Sequence, residues 1–218
     1  TDEIANLTLT GNGAALSVEL TGTPTKTTLA GAYDVKVAGA SSQFASKTVT
    51  DTTTAGTTTV SLTTVASGDL SKVASDKIEL AATAAASQTL VVASGANVVL
   101  AKDQTNGIAF DGKTTDAVLN LATADDTNAD GTTIDINVGA FDAVTSIKTV
   151  NLNATVGKFT ATSTALDTTG SLVITGTKDV TLGTVSAAKE INASALTGKV
   201  SLTAAGASTP TTITTGSA

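Results

Sequence analysis

The stretch DDTNADGTTIDIN, Asp125 to Asn137, gathers four carboxylates and two side-chain amides within thirteen residues. Asp126, Asn128 and Asp130 fall at positions 1, 3 and 5 of an EF-hand-like loop, and Gly131 falls at position 6, where such a loop turns sharply. Thr132 offers its backbone carbonyl at position 7. That spacing wraps hard oxygen ligands around calcium, and the expected site is Asp126, Asn128, Asp130 and Thr132. Position 12 is Asn137 rather than the bidentate Glu, no helices are expected to flank the loop, and Asp125 or Asp135 would have to supply the missing charge. The same residues also read as a solvated Asx-rich β-turn.

Two other arrangements invite chemistry. Asp103 with Asp111, or Asp125 with Asp126, suggests the paired carboxylates of a glycosidase. A sugar platform normally adds aromatic rings, and this chain has one Tyr, four Phe and no Trp, so catalysis is not expected. N-x-S/T acceptors occur at Asn6, Asn153 and Asn192, and only Asn192 has an acid, Glu190, two residues earlier. Against glycan attachment stands the simpler role of Asn at a corner or in a folded strand.

The absences narrow the function classes. With no His and no Cys, a Ser-His-Asp triad, a His-ligated zinc, a thiolate metal site and a disulfide are all excluded. All 12 basic residues are Lys, and the net charge of −7 argues against nucleic acid and anionic membrane as partners. A hard cation is the positive partner that fits. The longest apolar stretches, such as TLVVASGANVVLA, are too short and broken for membrane insertion. The opening TDEIANLTLTG shows no secretion signal, and the chain reads as an internal piece of a longer polypeptide.

The elements that would position any site are strands. Thr makes up roughly a fifth of the chain, and Thr and Val fit a pleated surface. Aromatics are only 2%, so the expected core is thin and aliphatic, with no room for a large ring. Short runs such as TLVVAS, NVVLAK, AVLNLA, TVNLNA, SLVITG, DVTLGT and KVSLTA are punctuated by Gly, Asn, Asp and Ser. SQFAS, SGDLSKVAS and GAFDAVTS offer single helical turns at most.

Alternate runs form two series. One is anchored at Leu90, Ile108, Ile134, Phe159, Val180 and Val200; the other at Val98, Leu119, Val150, Leu172, Ile191 and Ile213. Two short strands about every 20 residues indicate an all-β parallel β-helix, a β-solenoid whose strands stack on their equivalents one coil away. The long steps place TADDTNADGT and VGAFDAVTS in loops outside the coils. Before residue 87 the pattern is weaker: Leu7, Leu29, Val49 and Leu70 extend the first series, and Val18, Val35, Val60 and Ile78 the second. The reading is therefore a β-rich region over 1–86, continuous with a solenoid over 87–218. An antiparallel β-sandwich is the alternative, because its alternating strands give a similar list.

With the repeat in view, KDVTLGTVSAAKEINASALTGKVSLTAAGASTPTTITTGSA resembles bacterial surface-layer proteins and the related repeats-in-toxin-type exoproteins. DKIELAATAAASQTLVVASGANVVLAKDQTNGIAFDGKTTDAVLNLATA is similar to S-layer segments of Gram-negative epsilon-type bacteria, so the resemblance covers roughly 76–218. It implies one-step export from a Gram-negative cell, calcium-dependent assembly and residence on the cell surface. The family's glycine- and aspartate-rich calcium nonapeptide is absent, so its calcium sites do not carry over. The expectation is a structural, non-enzymatic segment that self-associates in a secreted surface lattice and meets cell-surface polysaccharide. The stalk or binding module of a large secreted adhesin is the alternative.

Overall fold

The computed structural model describes residues 4–124, 135–143, 146–204 and 212–216. It is a parallel β-solenoid of about nine turns, with about 22 residues per coil. Each coil contributes one strand to either side. The odd side holds β1 (Asn6–Gly11), β3 (Lys26–Gly31), β5 (Thr48–Thr53), β7 (Gly68–Asp69), β9 (Gln88–Val92), β11 (Ile108–Gly112), β13 (Asp135–Ala143), β15 (Lys158–Ala165), β17 (Val180–Ala187) and β19 (Val200–Ala204). The even side holds β2 (Leu16–Glu19), β4 (Val35–Ala40), β6 (Thr58–Thr64), β8 (Lys77–Leu80), β10 (Ala96–Leu100), β12 (Ala117–Thr123), β14 (Ile147–Ala154), β16 (Ser171–Gly176), β18 (Glu190–Leu196) and β20 (Thr212–Thr215).

Even strands form one ten-stranded sheet in chain order, whereas odd strands divide into a three-stranded and a seven-stranded sheet. Parallel strands cannot be joined by a tight hairpin. Here each strand of one sheet serves as the crossover between consecutive strands of the other. SLVITG (β16) pairs with β14 and β18, not with its sequence neighbour DVTLGT (β17), so the sandwich alternative does not hold.

Alternation sorts the side chains. In β12 the pattern AVLNLAT buries Ala117, Leu119, Leu121 and Thr123 and leaves Val118, Asn120 and Ala122 half-buried on the outer face. Inward residues stack in rows along the axis: Leu119, Val150, Leu172 and Ile191 follow one another in register, and Ile213 continues the row at its exposed end. On the odd side, Phe159 stacks on Val180 and Val180 on Val200. These are expected anchors in their expected positions. Corners close tightly where backbones meet: Gly31 has φ +105°, and a Cβ there would lie 2.1 Å from the Gly11 carbonyl oxygen.

Three expectations are corrected. All four phenylalanines, Phe44, Phe110, Phe141 and Phe159, lie in the core, so the interior does admit rings. Phe141 packs against Phe110 at 6.2 Å and edge-on against Phe159 at 5.9 Å, within the range of favourable aromatic pairs. VGAFDA is not an outer loop: it belongs to β13, whose partner β15 pairs with it through Asp142. Third, several stacking partners differ by two residues from the anchors. Val98 stacks on Leu121 rather than Leu119, Val18 on Val37 rather than Val35, and Leu90 on Phe110 rather than Ile108. Among the described residues the one helical element, Ser41–Phe44, overlaps the SQFAS run and turns Phe44 into the core.

Candidate functional site

Many polar side chains hold one coil to the next. Asp34 accepts the Thr57 N–H at 2.7 Å, Asp103 the Asn137 N–H at 2.8 Å, and Asp179 the Lys199 N–H at 2.9 Å. Gln104, fully buried, accepts the Ala84 N–H and donates to the Ala82 carbonyl one coil away. Asp51 takes the Thr58 hydroxyl at 2.7 Å along with the Thr53 N–H and hydroxyl. Burial works to raise the Asp51 carboxyl, but those hydrogen bonds outweigh it and hold it below its ordinary range. Asp34, Asp103 and Asp179 therefore serve as backbone clamps between coils, whereas Asp51 makes its bonds within its own coil.

The outer face of the even sheet has a different character. Register places Asn97, Asn120 and Asn151 in one column on β10, β12 and β14. Asn151 Nδ2 donates to Asn120 Oδ1 at 2.8 Å, Asn120 Nδ2 to Asn97 Oδ1 at 3.0 Å, and Asn97 Nδ2 to the Asp76 carbonyl at 3.0 Å. The result is a directional amide ladder, the device that stacked identical strands use in cross-β assemblies. It ends where Val173 takes the next place in the column. Beside it run Val99, Ala122, Asn153 and Thr175, in register on the same face. Together these residues line an open groove of about 450 Å³ that crosses the coils. Asp76 and Lys77 stand at one end and are the only ionisable residues in its lining.

The residues singled out for chemistry are dispersed. Asp126, Asn128, Asp130 and Thr132, with Asp125, lie outside the described residues. Among the described residues, no group of three or more His, Cys, Asp or Glu side chains is placed to share a metal ion. Asp103 is a clamp in the loop before β11, and Asp111 lies within that strand. Asp111 Oδ1 is buried with no hydrogen-bond partner among the described residues. Asp142, beside Ala109 in the neighbouring strand, has its carboxyl pushed up by burial. Of the glycan acceptors, Asn6 opens β1. Asn153 accepts the Thr155 hydroxyl, and Asn192 accepts both the N–H and the hydroxyl of Ser194. The last two are thus Asx-type turns on strands.

The amide column escaped sequence reading, although a signal exists. Each Asn immediately precedes an inward residue (Val98, Leu121, Leu152), and the steps between them are 23 and 31 residues. Only the stacking register turns those unequal steps into one column. Among the described residues, no helix is long and apolar enough to cross a membrane. Comparison of the chain with family models, with curated proteins and with solved structures returned no match.

Proposed function

We propose that the chain is a structural segment of a secreted bacterial cell-surface protein, a component of a self-assembling S-layer lattice. The observation that carries this reading is the stack of in-register parallel coils, clamped coil to coil by Asp34, Asp103, Gln104 and Asp179. Such an object is elongated and resists bending, because every backbone ladder and every clamp runs along its axis. A lattice needs a stiff unit of that kind, with subunit contacts made through loops and edges. The resemblance of residues 76–218 to surface-layer segments supports the same role and adds calcium-dependent assembly. An exported protein without Cys also avoids misoxidation.

A second reading, the stalk or binding module of a large adhesin, is favoured by the amide-lined groove on the even face. Immunogold electron microscopy of the source cells, with antibody against this chain, separates the two. A lattice component labels the whole surface as a periodic two-dimensional array. Sparse projecting label supports the adhesin, and label confined to the cell interior overturns both.

A further inference from the structure

We propose that the groove over the amide ladder is a binding site for an extended, uncharged polysaccharide. The inference deepens the binding-module reading and the expected polysaccharide partner by naming the ligand class of this groove, and it is argued from the chemistry of the groove.

The groove selects by what lines it. Its volume, about 450 Å³, falls within the range of ligand sites. On a chain of net charge −7, its lining carries one acid and one base at one end and only neutral groups elsewhere. A polyanion finds one Lys there, too little to bind nucleic acid or an acidic polymer. A protein partner would want aromatic or Arg anchors. The large apolar side chains exposed among the described residues are Ile4, Tyr33, Val156 and Ile213, and none lines the groove. What the groove offers is side-chain amides, each both donor and acceptor, beside the small apolar surfaces of Val99 and Ala122. Hydroxyl groups on a sugar ring with apolar C–H faces match that mixture.

The ladder also presets the geometry. Its bonds fix the amide orientations, so little side-chain freedom remains to be lost on binding. Within the described residues, those bonds leave one N–H at Asn97, one at Asn151, and acceptor capacity on all three amide oxygens. The acceptor oxygens recur at the coil spacing of about 4.8 Å along the axis, a repeat comparable in length to one sugar residue, and the two free N–H groups stand two coils apart. A linear glycan lying along the axis meets one amide acceptor per coil over the three coils of the column. Without ring stacking each contact is weak, and affinity grows with polymer length.

The test is a titration of the ¹⁵N-labelled chain, followed through the side-chain amide resonances of Asn97, Asn120 and Asn151. The probes are dextran, laminarin and mannan, each as short and long fractions, with dextran sulfate as the charged control. We expect those three amides to shift with at least one neutral glycan and not with dextran sulfate, and the apparent affinity to rise at least tenfold from short to long fractions. Asn120→Asp, which puts a carboxylate between two amides, should weaken binding at least tenfold. Asn120→Ser, with unchanged backbone resonances, should weaken it less, which separates lost recognition from lost folding. No shift with any neutral probe overturns the proposal. So do equal binding by Asn120→Asp, or shifts that follow protein concentration alone, which would make a second copy of the chain the occupant.

Discussion

Lys36 Nζ lies 2.6 Å from Glu79 Oε2, although 43 residues and an intervening strand separate them. The pair spans β6 from β4 to β8, across the outward Thr59 and Ser61, which are 8% and 2% exposed. It ties three coils together. Both side chains remain partly solvated, so Glu79→Gln should cost about 0.5 kcal/mol in urea unfolding at low salt and less in molar salt. Lys36→Met, which keeps the apolar stem over the β6 side chains, should cost no more than that, and Lys36→Ala should cost more.

Val180 and Thr181 test the inward and outward assignment with adjacent residues. Val180 is buried between Phe159 and Val200, whereas Thr181 faces out between Thr160 and Ser201. Val180→Asp should lose several kcal/mol and unfold the neighbouring coils, because a stacked interior position cannot hydrate a carboxylate. Thr181→Asp should cost under about 1 kcal/mol. Val200, only partly buried, should tolerate the same change better than Val180. Chemical denaturation of the three variants checks the order.

Phe141 sits between two other rings, so its removal opens a cavity that aliphatic neighbours cannot close. Phe141→Ala should destabilise by about 3–5 kcal/mol, and Phe141→Leu by clearly less. Thermal or urea melts distinguish this from an outer-loop position, where both changes would be nearly silent.

The acid limb of stability follows from particular carboxylates. The Lys113 ammonium, aided by Ser71, holds the Asp69 carboxyl at about 2; Lys148 and Thr169 hold that of Asp167 at about 2. A depressed folded-state value means stability that is present above the unfolded value, near 4, and is lost as pH falls toward 2. Asp142 has the opposite sign, since burial raises its carboxyl and ionisation at neutral pH opposes folding. Melting temperature should therefore fall between about pH 4 and pH 2, and less so in a Lys113→Ala/Lys148→Ala variant. Asp142→Asn should raise it at pH 7, with the gain vanishing at low pH.

Calcium is tested by melting the chain with and without millimolar calcium, alongside an Asp126→Ala/Asp130→Ala variant. An incomplete extracellular-type ligand set implies an affinity of about 10⁻⁴ to 10⁻³ M. We expect a rise in melting temperature that the variant loses. A rise that survives in the variant places the ion elsewhere, and no rise leaves the segment as an Asx turn.

The discrepancies at Val98, Val18 and Leu90 share one size: each expected partner is displaced by two residues. Apolar alternation has a period of two, so it identifies the face of a strand and is blind to a slip of one full pleat. The face was legible at Val98 and Leu121; the register was not. Where the cycle is most regular, from Val150 to Ile213 and from Phe159 to Val200, register was legible too. Phe141 was obscured because VGAFDA interrupts alternation with Gly and lies in the longest coil. The amide ladder lay one inference further away, since its unequal spacing becomes a column only after the coils are aligned.

The coil-by-coil architecture has a mechanical consequence. Every strand runs across the long axis, so a pull along that axis opens the backbone ladder of one coil pair at a time instead of shearing many in parallel. A coil of about 22 residues releases roughly 70 Å of chain when it peels away, while the coils behind it keep their own nearest-neighbour contacts. Under tension the molecule would lengthen in steps, dissipating load one coil at a time.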